Sequence, residues 1–220
     1  MDDRPTYTVQ RAPRAPELEG HDDLWHRAEP AEVAHAHPES SEHHPQTTAR
    51  LLYDDTHLYL RFDVDDRYVI ARNTEPNSPV YEDSCVEFFF QIHPNRYINL
   101  EMNAIGAILL GSWQEEPREG GVVDPKHIEA IKRWTSLSGP IEEEIIEPIT
   151  WHAALALPLS VIEDLAGPLK ERKPAPDIRW TANFYKCADK SSHPHWLTWS
   201  PIGERLWFHQ PKYFGHLHFA

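Results

Sequence analysis

The chain has only two cysteines in 220 residues, too few for a disulfide scaffold, and no CxxC pair to suggest zinc or redox chemistry. Glycine is scarce as well: nine glycines stand against twenty prolines, an inversion of ordinary usage. Proline fixes φ and removes a backbone donor, so this balance disfavours long helices and suits strands joined by stiffened loops. Basic residues are outnumbered, 21 Lys and Arg to 35 Asp and Glu, leaving a net charge of −14. Such a surface repels phosphate backbones and anionic lipid, which argues against nucleic-acid partners and membrane-surface roles. No apolar run approaches the roughly 18 residues a bilayer span needs, so membrane insertion is not expected. The opening Met1-Asp2-Asp3-Arg4-Pro5 carries no secretory signal. As written the sequence reads as cytoplasmic, or as extracellular or periplasmic if a leader has been removed. No GxSxG, HExxH or glycine-rich phosphate loop occurs.

What is present is material for one core. Apolar residues make up 40% of the chain, with eight each of Trp, Tyr and Phe, and the length suits a single β domain. Residues 1–48, rich in Pro, His, Ala and acid, read as a lead-in to that domain. Tyr7-Thr8-Val9-Gln10 suggests an edge strand and Leu24-Trp25 an anchor. From Ala49 the pattern sharpens. Arg50-Leu51-Leu52-Tyr53 reaches a turn at Asp54-Asp55-Thr56, after which Leu58, Leu60, Phe62 and Val64 alternate with polar neighbours. Period two over eight residues predicts a half-buried strand.

Two further runs pair. Val86, Phe88, Phe90 and Ile92 share one face of the first, and Ile98, Leu100, Met102 and Ala104 one face of the second. His93-Pro94-Asn95-Arg96 between them is turn chemistry. Residues opposite each other must point to the same side of a sheet. A plain four-residue loop would violate this without a bulge, while opposite numbers summing to 190 or to 188 satisfy it. Either register gathers Glu87, Gln91, Asn99, Glu101 and Asn103 on the outer face. Strands are also expected near Ala107–Trp113, Trp151–Leu157, Arg179–Lys186 and Tyr213–Phe219, with a helix over Leu159–Leu165 closed by Gly167-Pro168. The segment 114–149 reads as irregular, with a short strand or helical turn near Ile128–Trp134. The result is an all-β protein, an antiparallel β-sandwich of the immunoglobulin-like or jelly-roll type with one short helix.

A face of carboxylates, amides and tyrosines beside aromatic rings suits sugar, whose C–H faces pack on rings while its hydroxyls need fixed polar partners. A solvated sheet face would look the same. The motifs separate the two. Tyr81-Glu82-Asp83-Ser84-Cys85-Val86-Glu87-Phe88-Phe89 resembles the strand "aromatic, D-S-(V/C)-E-apolar" of the family 9 carbohydrate-binding modules, and Tyr97 to Gly106 resembles their next strand, ending in N-x-x-G. Ala49–Val64, Trp151–Leu159 and the stretches from Trp180, Trp199 and His209 follow in the family's order, so the resemblance covers roughly residues 45–220.

That resemblance implies a DOMON-type sandwich over 49–220 that binds carbohydrate without cleaving it, two rings clasping a terminal sugar. It carries the first ring to Tyr81, where tryptophan would be usual, and the acid to Glu87. For the second ring Trp196 and Trp199 are candidates, Trp199 preferred. Arg96, Asn99, Asn103, Asn183 and Lys186 supply polar contacts, and Trp113 lines the cleft or is buried. No cofactor is expected. The resemblance allows a structural calcium, for which Asp54, Asp55, Asp63, Asp65 and Asp66 are the nearby acids, although no EF-hand loop is present.

The same residues bear on rival chemistries. A glycoside-processing enzyme needs paired carboxylates, for which Glu87 and Glu101 are the natural pair. Haem, held in some DOMON relatives by methionine and histidine, would call on Met102, which alternation turns into the core. His216 and His218 share a strand face and could chelate, but no third ligand can be placed, and zinc is not expected. Cys85 and Cys187 read as buried thiols, a disulfide being the other reading. Oligomeric state leaves no mark in the sequence.

Overall fold

The structure, a computed structural model, describes residues 2–20 and 22–220. It is an antiparallel β-sandwich of two curled sheets. The front sheet runs Glu119–Val122, Ile108–Gln114, Arg96–Asn103, Cys85–His93, Arg179–Cys187 and Gly215–Phe219. The back sheet runs Gln46–Tyr53, His57–Asp66, Ile149–Pro158 and Lys132–Thr135. Thr6–Arg11 joins them. Its first half pairs parallel to Gly215–Phe219 and its second half parallel to Leu52-Tyr53. Each half thus has one partner strand, so the segment is an edge strand, as expected, of both sheets at once, and the lead-in contributes strands to the sandwich. Ala31–Glu32 and His35–Ala36 pair as well, with Gln46–Tyr53 and Trp196–Thr198.

The inner faces are those that alternation marks. Val86, Phe88, Phe90, Ile98, Leu100 and Met102 meet Leu51, Leu58, Leu60, Phe62, Val64, Trp151 and Leu155 in one core. Phe184 stacks on Phe88 at 5.2 Å and meets Phe62 edge-on at 6.2 Å. Each such fully buried side chain contributes about 1.5–3 kcal/mol. Met102 is core filler, as its parity requires.

The central hairpin takes the register summing to 188: Cys85 faces Asn103, Glu87 faces Glu101 and Gln91 faces Tyr97. The register then shifts, and His93 faces Arg96 across Pro94-Asn95. Asn95 sits at φ 66, a left-handed conformation that asparagine tolerates better than most residues. One extra residue reconciles a tight turn with a core-consistent ladder, which is what a bulge does.

The helix Leu159–Ala166 starts after Pro158 and ends at Gly167, φ 93, where absence of a Cβ removes the steric penalty. Near Ile128–Trp134, where a short strand or helical turn is expected, a second helix, Pro125–Glu129, capped by Asp124, leads into the strand Lys132–Thr135. The stretch 114–149 also holds strands Glu119–Val122, Lys132–Thr135 and Ile141–Ile145. Among the described residues no helix is long and apolar enough to cross a membrane.

Both outer faces are partly covered. Leu24 and Trp25 pack over Leu52, Tyr59, Ala154 and Ala156 on the back sheet. On the front sheet, Ile202, Phe208 and Phe214 from the carboxy-terminal segment pack over Phe89, Tyr97 and Tyr185. The second cover builds the site.

Candidate functional site

The front sheet's outer face is polar but not solvated. Glu87, Asn99, Glu101, Asn103 and Asn183 are all buried; Asn103 is enclosed by the turns it bonds, and the chain from Trp199 to Phe214 covers Asn183 and the rings of this face. Asn183 docks that segment, its amide donating to Ser200 O at 2.8 Å and its Oδ1 accepting from Ser200 N at 2.8 Å. Further along, the Phe208 ring stacks on Tyr185 at 4.1 Å, and the Tyr185 hydroxyl donates to Phe208 O. These contacts fix the loop that carries Trp207.

Between loop and sheet lies a cavity of about 320 Å³ lined by Tyr81, Glu87, Cys187, Asp189, Trp196, Leu206, Trp207 and Phe208. Tyr81 comes from a single helical turn, Val80–Glu82, just before the Glu87 strand. Its carbonyl accepts from Asp189 N at 3.1 Å, and Asp189 Oδ1 in turn accepts from Trp196 Nε1 at 2.6 Å. Tyr81 and Trp207 remain open, 39% and 36% exposed, while Glu87 beneath them is 2% exposed. Arg118 and Arg205 stand over the Trp207 ring, 5.1 and 5.3 Å from its centre, a cation–π clamp on its orientation.

Glu87 is the electrostatic oddity of the cavity. Its Oε1 accepts from the Cys187 thiol at 3.0 Å, and its Oε2 has no hydrogen-bond partner among the described residues. Burial, then the neighbouring Cys187 and Glu101, push its pKa well above the ordinary value. Glu101, directly opposite, is pushed up to about 7 by burial, against the opposing pull of the Asn99 donor. Glu101 Oε1 accepts from Asn99 Nδ2 at 2.8 Å, and Asn99 Oδ1 from Trp113 Nε1 at 2.7 Å. Trp113, Asn99 and Glu101 thus form a chain beside the cavity that leads to its floor.

The raised Glu101 pKa has a signed consequence. A carboxyl titrating higher in the folded state stabilises below its unfolded pKa near 4.5, and that contribution is lost as pH rises through about 7. Glu101→Gln keeps the acceptor for Asn99 and removes the charge. It should match wild type in urea unfolding near pH 5 and exceed it at pH 8 by at least about 1.4 kcal/mol, one pKa unit's worth. Equal stability of the two proteins at pH 8 would refute this.

Several residues expected at the site stand elsewhere. Trp199 is only 8% exposed and packs edge-on against Phe184 and Tyr7 in the core; its ring lies on Gly215, where any Cβ would collide with it. Lys186 shares its face with Trp180, Ala182 and Phe184, so it points inward, to Asp66 at 3.3 Å. Arg96, at the hairpin end, reaches Leu165 O at 3.4 Å, away from the cavity. Asn103 is spent on Asp83, Asn73 O and Ala107 N, tying the turns around it. Asn183 is spent on Ser200. Of the expected residues, Tyr81, Glu87 and the less preferred ring Trp196 line the cavity, and Asn99 and Trp113 lie next to it. Trp207 was missed: it sits in a loop with no periodicity to mark it.

Among the acids considered for calcium, Asp54 accepts from Thr56, His57 and Tyr59, and Asp63 from Arg50, Arg61 and His152. His216 pairs with Asp2 at 2.8 Å, and His218 lies 3.8 Å from Asp177. Cys85 and Cys187 are cross-strand partners, both free and buried.

A β-sandwich whose polar sheet face is roofed by a ring-bearing loop defines a ligand-binding domain rather than a scaffold. The particular kind follows from comparison: the family model for carbohydrate-binding family 9 matches residues 25–219, and the chain belongs to that family. The fold is shared with a protein from Bacteroides uniformis ATCC 8492 provisionally described as carbohydrate-binding, at TM-score 0.88 and 28% identity over 99% of this chain and 100% of that one. It is also shared with a family 9 module from Caldicellulosiruptor kristjanssonii solved with glucose, at TM-score 0.64 and 15% identity over 98% and 96% of the two chains. The cellotriose complex of a family 9 module from the same organism gives 0.63 and 17%, over 98% and 93%. No curated protein matches the sequence.

Proposed function

We propose that the chain binds the end of a neutral sugar, without cleaving it, in the cavity walled by Tyr81 and Trp207 and floored by Glu87. The observation that carries this is the unpartnered Glu87 Oε2, buried beneath two open rings. An unsatisfied buried oxygen costs about 1–3 kcal/mol, and a sugar hydroxyl donating to it would offset that cost. The rings supply flat apolar surface for the sugar's C–H face, and Asp189 adds a second polar rim. A volume of about 320 Å³ lies at the small end of ligand pockets, which suits one or two rings over a long chain. Glucose and cellotriose, the ligands in the two Caldicellulosiruptor complexes, are the first to try. For a glycoside-processing enzyme, Glu101 is the wrong second carboxylate: it does not line the cavity.

Calorimetric titration with glucose, cellobiose and cellotriose tests the reading. Trp207→Ala and Tyr81→Ala should each weaken binding about tenfold or more, about 1.4 kcal/mol, and Glu87→Gln should do the same by altering the floor. Trp199→Phe should lower stability and leave affinity intact. Affinity that survives all three cavity changes, or depends on Trp199 instead, would put the site elsewhere.

A further inference from the structure

Cys85, Glu87 and Cys187 are the group of three potential metal donors that the described residues bring together: one atom from each lies within 4.8 Å of the others, and all three are buried. The pairing of Cys85 with Cys187 across adjacent strands sets the two sulfurs side by side. Glu87, two residues on from Cys85, projects from the same outer face with the oxygen that has no partner. Tetrahedral zinc with bonds of about 2.3 Å to sulfur places its ligands about 3.7 Å apart, so side-chain rotation alone would close the triad. Cys187 and Glu87 line the cavity while Cys85 lies behind them, which leaves a fourth coordination position facing open space.

From this geometry we infer that Cys85, Cys187 and Glu87 form a binding site for a thiophilic divalent cation of the zinc and cadmium class. Sulfur donors select such ions over calcium or magnesium. A disulfide is the poorer use of the same pair, since it would remove the thiol proton that Glu87 Oε1 accepts and leave both carboxylate oxygens bare. Binding is written as an exchange: the cation takes two sulfurs and one oxygen, and both thiol protons pass to solvent, with the carboxyl proton if it is present. Because both thiols must give up their protons to bind, affinity should rise with pH. The inference does not depend on sugar binding.

The test is titration of the reduced full chain with cadmium chloride at pH 8, following the ultraviolet charge-transfer band of the cadmium–thiolate bond and proton release. Histidine-bound cation is silent in that band. One equivalent should saturate it, and it should vanish in Cys85→Ser and in Cys187→Ser. Glu87→Gln, an isostere that spares the fold, should weaken binding about tenfold or more, in the range seen when a metal site loses supporting groups. Cys85→Ser should keep its affinity for sugar, so loss of the cation site and loss of the sugar site are separable. Absence of the band, its persistence in both serine variants, or a Cys85–Cys187 disulfide that resists reductant would overturn the assignment.

Discussion

Lys186→Met should cost about 3–5 kcal/mol of stability, the usual consequence of stranding a buried charge. In a domain of this size that lowers the melting midpoint by about 6–20 °C. The reason is the company the ammonium keeps. Its Nζ forms an ion pair with Asp66 at 3.3 Å and hydrogen bonds with His195 Nε2 at 2.8 Å and Cys187 O at 3.1 Å, with Asp66 and Lys186 side chains both inaccessible to water. Asp66 also accepts from His43 Nε2 at 2.8 Å and Trp151 Nε1 at 3.1 Å. Burial alone would raise the Asp66 pKa; Lys186 and then His43 overcome that and hold it below the ordinary carboxylate range. The neighbouring His195 is held neutral by burial and by the Lys186 charge, which leaves its Nε2 free to accept. Methionine fills the space of lysine but leaves the buried Asp66 carboxylate without its counter-charge. Asp66→Asn combined with Lys186→Met should recover much of the loss, since no net charge is then buried. Urea unfolding of the three variants measures this, and sugar titration separates the roles. A Lys186→Met protein as stable as wild type but unable to bind sugar would mean that Lys186 belongs to the ligand site after all.

That lysine shows where the sequence was readable and where it misled. Positions 180, 182, 184 and 186 share one strand face, and Trp180 and Phe184 mark that face as core. The parity was legible; the charge on Lys186 drew the reading outward against it. The same alternation correctly sorted Val86, Phe88 and Phe90 from Glu87 and Phe89, since period two is a local property that one strand carries in full. Glu87 and Tyr81 were identifiable because strand and preceding turn are contiguous in sequence. The roof was not. Trp207 lies 120 positions from Glu87, in a stretch without regular secondary structure, and its place depends on Asn183 capturing Ser200 and Phe208 stacking on Tyr185. Nothing local to Arg205-Leu206-Trp207 says which face of which sheet it will cover. Trp199 illustrates the converse: a tryptophan beside family-like residues reads as a binding ring until Gly215 and Phe184 are seen to enclose it.

The roof itself should be acid-sensitive, through His209. This imidazole lies under Trp207, 5.0 Å between ring centres, and beside Phe89 and Trp113 at 4.9 and 5.6 Å. Its Nδ1 shares a 3.0 Å hydrogen bond with the Tyr97 hydroxyl. Burial, and then the Arg118 charge, lower its pKa to about 4. A base with a depressed folded-state pKa contributes full stability above its unfolded value near 6.5, and loses that contribution as pH falls toward 4. Two and a half pKa units correspond to about 3 kcal/mol. Carboxylates across the protein titrate in the same range, so the diagnostic quantity is a difference. His209→Gln, which retains a polar partner for Tyr97 but cannot take up a proton, should match or fall below wild type at pH 7.5. It should gain on wild type by about 3 kcal/mol between there and pH 4. Because protonation would force a charge in among Trp207, Trp113 and Arg118, the cost falls on the loop that carries the cavity's second ring. Sugar affinity of the wild type should therefore decline over the same interval, and decline less in His209→Gln. Parallel stability curves for the two proteins would show that His209 is not the group that acid acts on, and that the roof is held by its apolar contacts alone.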